Sequence, residues 1–130
     1  MKDFNKNIAL AAAILAALTI AIGAFGAHGL KTMVDAESLV SFETGVRYQM
    51  YHVLALFALA FARGLPEKVQ IQTARLFILG IVCFSGSIYL LSLDETFAFD
   101  ATSGAFITPF GGLLFIAGWV RLAVGIWKIR

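Results

Sequence analysis

The run IALAAAILAALTIAIGAFGA, residues 8–27, holds 20 residues without a charge, and its reading decides the fold class. A helix rises about 1.5 Å per residue, so about 20 apolar residues span the roughly 30 Å hydrocarbon core of a bilayer. The competing reading is a cleaved secretory leader, with Lys2 and Lys6 ahead of the apolar run and Ala24-Phe25-Gly26 as cleavage context. Leader cores run to about 7–15 residues. This run is longer, and further apolar spans follow at residues 44–62, 76–93 and 105–127. The expected fold is an all-α membrane protein, one integral domain of residues 1–130 with four transmembrane helices in an up-down antiparallel bundle.

The charges orient that bundle. Of ten Lys and Arg residues, eight flank the same ends of the spans: Lys2 and Lys6; Arg63, Lys68 and Arg75; Arg121, Lys128 and Arg130. The opposite ends hold Lys31 and Arg47 among Asp35, Glu37, Glu43, Asp94, Glu95 and Asp100. Cytoplasmic loops are enriched in Lys and Arg, so both termini are expected in the cytoplasm. The composition agrees, at 60% hydrophobic and 14% charged, against about 25% charged in soluble domains. A net charge of +2 from dispersed basic residues gives no nucleic-acid footprint. The expected partner is the lipid bilayer. The single cysteine, Cys83, lies within an apolar run and carries no information about an oxidising compartment.

Arg47 and Arg63 leave only 15 residues between them, which is short for a crossing. Upstream, Leu39, Phe42, Val46, Met50 and Val53 recur at helical spacing, and Asp35 can accept backbone N–H groups as a cap. One long helix over residues 36–62 follows, with an amphipathic outer extension at about 36–47. Gly26-Ala27-His28-Gly29 reads as the break before it, because glycine permits the backbone angles that end helices. Pro66 breaks the short connection to the third span, so spans two and three form an antiparallel pair. Pro109 falls in the first turns of the fourth span, where a missing N–H costs little. Trp119 and Trp127 fit an interfacial aromatic belt.

In lipid, helices associate through close packing of small residues. Ala9, Ala13, Ala17 and Ala21 form such a stripe on the first span; Gly111, Gly118 and Gly125 recur at sevens on the fourth. Thr73, Gly80 and Ser87 repeat the interval of seven on the third. Small faces left over in the bundle leave room for a homo-oligomer.

Ionisable groups inside a membrane are costly and mark function by default. His52 lies near the middle of the second span, with Tyr48 one turn before it. Glu43 and Arg47 stand in the acid-first order that favours an ion pair, but their helix face points away from His52. Ser85, Ser87 and Tyr89 on the third span are candidate hydroxyl partners for the imidazole, and His28 lies at the outer end of the first span. His52 is then either a buried hydrogen-bonding pin between helices or part of a proton relay or ligand site. Two histidines can be axial haem ligands, but Cys-x-x-Cys-His and Glu-x-x-His patterns are absent, so no metal and no cofactor are expected. Cys83 has no base nearby in sequence, and no phosphate loop is present, so no catalytic residue is assigned.

Four motifs carry a family resemblance. They are residues 23–30 (GAFGAHGL), 42–52 (FETGVRYQMYH), 84–90 (FSGSIYL) and 107–112 (ITPFGG). In this order they resemble the small bacterial inner-membrane proteins catalogued as domain of unknown function 423, which have eukaryotic transmembrane relatives. The resemblance covers nearly the whole chain and implies a multi-pass protein of the bacterial inner membrane, with no established activity, ligand or cofactor. On the charge-based orientation, all four motifs fall at the outer ends of the spans. The leading functional expectation is a non-enzymatic membrane protein that supports envelope integrity or organises partners in the bilayer. The alternative is a small oligomeric transporter or channel with an outward-facing polar site around His52. A third reading is an enzyme or haem protein acting on a lipid or quinone.

Overall fold

Two side-chain caps start the first two long helices. Asn5 Oδ1 accepts the Ile8 N–H at 3.3 Å, and Asp35 Oδ1 accepts the Ser38 N–H at 2.7 Å. The computed structural model describes residues 3–97 and 104–129. Lys2, Asp100 and Arg130, three charges of the partition above, lie outside the described residues, as does the side chain of Glu95. The chain runs α1 (Lys6–His28), a 3-10 turn (Leu30–Thr32), α2 (Ala36–Ala60), α3 (Glu67–Gly80), a π-helical segment (Ile81–Ser85), α4 (Gly86–Phe97) and α5 (Ile107–Trp127). No strand occurs among the described residues. α3, the π segment and α4 follow one another without a break.

Three helical stretches are long and apolar enough to cross a membrane: Lys6–Thr32, Glu67–Asp94 and Ile107–Trp127. α2 is also long, at 25 residues, but Glu37, Glu43 and Arg47 interrupt its first half. Neighbouring helices run antiparallel. The Asn5 N–H donates to the Ala60 carbonyl at 2.8 Å, and Phe4 stacks on Phe61 at 4.9 Å, which joins the start of α1 to the end of α2. Gln70 Nε2 donates to the Ala62 carbonyl at 2.9 Å and closes the turn into α3.

α5 lies along α3 and the π segment in a zipper of small residues. A Cβ on Gly118 would stand 2.6 Å from the Phe77 ring, and Cβ atoms on Gly125 and Gly111 would overlap Val69 and the Phe84 backbone. In return, Phe115 of α5 fills the space over Gly80. Val53, Leu56 and Leu59 of α2 complete this core with Phe77, Ile81 and Phe115. Pro109 is the third residue of α5, among the first N–H groups that have no partner within the helix.

One packing expectation is corrected. Ala9 is half-buried, but Ala13, Ala17 and Ala21 are exposed; the buried positions of α1 are Ile8, Ala12, Thr19 and Gly26. At about 100° per residue, steps of four precess by about 40° each, whereas Ala12, Thr19 and Gly26, at sevens, hold one line. α1 ends at His28 with Gly29 as its C-cap, so the break falls within residues 26–29 as expected, although Gly29 keeps an ordinary φ of −79°. Gly26, inside the last turns of α1, is also a contact surface, where a Cβ would meet the Phe42 ring at 2.8 Å. The one glycine at positive φ among the described residues is Gly64, at 81° in the turn before α3.

Candidate functional site

α2 presents Phe42, Gly45, Gln49, His52, Val53 and Leu56 to the interior. These positions step by three and four, so they form one stripe along a 3.6-residue helix. The polar members meet partners on two other helices. Ser85 Oγ donates to the Gly45 carbonyl at 2.7 Å, and Tyr89 Oη donates to Gln49 Oε1 at 2.7 Å. The Tyr89 ring covers Gly45, where a Cβ would stand 2.8 Å from it, and lies 4.9 Å from Phe42. The π segment contributes here, since its extra residue per turn rotates the helix locally. Phe84 thereby abuts Gly111 while the next residue, Ser85, reaches α2. On α4, Ser87 shares a 2.6 Å hydrogen bond with Thr108 at the start of α5.

His52 sits deeper, among aromatic rings. Its imidazole stacks on Phe115 at 3.6 Å and 9°, and meets Phe77 edge-on at 5.1 Å. Nδ1 lies 2.7 Å from the Tyr48 carbonyl, and Nε2 accepts the Trp119 indole N–H at 3.1 Å. A carbonyl only accepts, so Nδ1 carries the proton, and the neutral imidazole has both nitrogens satisfied. Tyr48 itself is exposed and packs on Phe84 at 4.9 Å.

Of the sequence candidates, His52, Ser85, Ser87 and Tyr89 are brought inward, while His28, Glu43 and Arg47 are exposed. Arg47 donates to Thr44 Oγ1 at 3.1 Å, not to Glu43; a hydroxyl one turn back is nearer than a carboxylate on a solvated helix face. The hydroxyls of the third span do not bond His52. They serve the Gly45 carbonyl, Gln49 and Thr108, and the imidazole takes Trp119. Gln49, Thr108, Phe115 and Trp119 were not anticipated in these roles. Gln49 was readable, being four after Gly45 and three before His52 on one helix face. Trp119 also departs from the interfacial belt, since its N–H turns inward; Trp127 remains exposed.

Beside His52 a lateral groove of about 450 Å³ opens between α2 and α5, lined by Tyr48, His52, Phe84, Pro109, Phe115, Trp119 and neighbouring residues. Among the described residues, no group of three His, Cys, Asp or Glu side chains is placed to hold a metal ion.

The family model described as "Protein of unknown function (DUF423)" matches residues 22–112. The chain belongs to the DUF423 family. A UPF0382 membrane protein of Bacillus subtilis is 42% identical over 125 residues, covering 95% of this chain and 98% of its own. A UPF0382 membrane protein of Staphylococcus saprophyticus is 40% identical over 124 residues, covering 95% and 99%. The UPF0382 inner membrane protein YgdD of Escherichia coli is 38% identical over 127 residues, covering 97% and 93%. No solved structure matches. This is an integral membrane protein of a family without an assigned activity.

The DUF423 motifs are largely one another's packing partners. Gly26 of the first meets Phe42 of the second; Gly45 of the second meets Tyr89 and Ser85 of the third. Phe84 and Ser87 of the third meet Gly111 and Thr108 of the fourth. Trp119 lies beyond the matched residues, so its hydrogen bond to His52 joins a family motif to a helix segment outside it.

Proposed function

We propose that this chain crosses the inner membrane four times with both termini in the cytoplasm, and acts there as a non-enzymatic protein that supports the envelope or organises partners. The observation that carries this reading is the internal pairing of the polar groups around His52, with Thr73 Oγ1 and Ser92 Oγ the buried hydroxyls left without a partner among the described residues. Both nitrogens of His52 are engaged within the monomer, and Ser85, Ser87 and Tyr89 each have a protein partner. A relay needs an imidazole that can hand its proton to water or to a second titratable group. Here Nδ1 faces a carbonyl and Nε2 an indole N–H, neither of which takes part in proton transfer. Exposed Lys6, Arg63, Lys68 and Lys128 near one end of the helices, against Asp35, Glu37 and Glu43 at the other, support the orientation.

Two measurements test it. A fluorescent-protein fusion after residue 129 is expected to glow and an alkaline phosphatase fusion there to stay inactive; the reverse pattern overturns the orientation. In proteoliposomes the wild-type chain is expected to pass no proton or ion current above empty vesicles. A current that His52→Ala abolishes would overturn the structural reading and favour transport.

A further inference from the structure

A second feature of the α2–α5 face is independent of the polar layer. α2 and α5 both pack on the α3 rod, and the furrow between them opens as two grooves. One part is the groove of about 450 Å³ beside His52; the second, about 260 Å³ and nearer the α2–α3 turn, is lined by Leu59, Arg63, Leu122, Ile126 and neighbouring residues. Trp119 lines both parts, and its indole bond to His52 bridges α2 and α5 between them. Among the described residues Arg63 is the only charged one lining this second part, and it stands at the end where α2 gives way to the turn.

We infer that this furrow is a binding site for one anionic phospholipid, its phosphate on Arg63 and one acyl chain laid between α2 and α5. Length is the first reason. From Tyr48 to Leu59, lining residues of the two grooves on α2, is about 17 Å at about 1.5 Å per residue, close to the roughly 15 Å of hydrocarbon in one leaflet, half of about 30 Å. Charge is the second. Arg63 is exposed and makes no hydrogen bond or ion pair among the described residues, although Asp3 and Glu67 line the polar pocket on its other side. Its planar guanidinium matches a phosphate in two-pronged geometry. A lipid phosphate supplies the anion that Arg63 lacks among the described residues. The site needs only insertion in a bilayer and holds whichever side Arg63 faces.

Trp119 reports on the furrow directly. In a Trp127→Phe variant it is the sole tryptophan, and bromine on an acyl chain quenches indole emission at contact range. The protein is reconstituted in phosphatidylcholine vesicles carrying small, equal fractions of dibrominated phosphatidylglycerol or dibrominated phosphatidylcholine. The expected result is several-fold steeper, saturable quenching by the phosphatidylglycerol, with the difference lost in the added Arg63→Gln variant. Equal quenching by the two lipids means ordinary lipid contact only and overturns the site. A preference that survives Arg63→Gln overturns the role of that residue. Emission that neither lipid quenches until the protein is diluted into excess lipid would put a second copy in the furrow, and overturns it as well. None of these readings depends on topology fusions or ion flux, so the inference and the proposed function fail separately.

Discussion

The Trp119 indole N–H donates to His52 Nε2 at 3.1 Å, across 67 positions of sequence. It gives the imidazole a defined tautomer and ties α2 to α5, between which a furrow otherwise opens. Trp119→Phe is expected to destabilise the protein by about 0.6 kcal/mol and by no more than about 1.7 kcal/mol, the average and the maximum for hydrogen bonds between membrane helices. His52→Ala should cost more, because it also removes the ring stacked on Phe115 at 3.6 Å. A double-mutant cycle of the two, read by reversible unfolding in mixed micelles, should give a coupling of about 1 kcal/mol. Strict additivity would mean that the contact contributes nothing.

Adjacent glycines on α5 make a sharper comparison. A Cβ on Gly111 would overlap the Phe84 backbone, which has no side-chain freedom with which to yield, whereas a Cβ on Gly112 comes no nearer than 3.9 Å to the Phe84 ring. Gly111→Ala should destabilise by about 1–3 kcal/mol, the usual cost of overpacking. Gly112→Ala should be neutral or stabilise by up to about 1 kcal/mol, since it removes a glycine from a helix interior. The unfolding midpoints of the two variants check this, and similar midpoints would contradict the zipper.

The helices were legible in the sequence because uncharged runs and their flanking charges mark them directly. The α5 glycines were legible because a spacing of seven keeps a small residue on one line. The alanines of α1 misled for the converse reason: steps of four carry Ala13, Ala17 and Ala21 off the contact line that Ala12, Thr19 and Gly26 keep. The partner of His52 was not legible. Which residue of α5 lies at its depth depends on the axial register of two helices separated in sequence by the third, and that register is set by Phe77 and Phe115 seating on Gly118 and Gly80.

Tyr89 and Gln49 offer a test of polar satisfaction. Tyr89→Phe leaves Gln49 Oε1, on a side chain only 3% exposed, without its donor. An unmade buried hydrogen bond costs about 1–3 kcal/mol, whereas replacing both partners with apolar groups is nearly neutral. Tyr89→Phe alone should therefore lower stability, and Gln49→Leu added to it should restore most of the loss. If the double variant is no better than the single, Gln49 has another donor in the membrane.

Asp35 supplies a pH dependence at the start of α2. The Ser38 backbone N–H, bonded at 2.7 Å, holds the Asp35 carboxyl below its ordinary value of 3.8. The folded value is the lower one, so the cap's contribution is complete above the unfolded value and is lost as the pH falls through the folded one. The Ser38 amide should then exchange with solvent faster, relative to the intrinsic rate, as the pH drops below about 4. Asparagine caps a helix as well as aspartate does but does not titrate. Asp35→Asn should therefore keep Ser38 protected and flatten its acid limb. An equal acid limb in both proteins would assign the fraying to some group other than this cap.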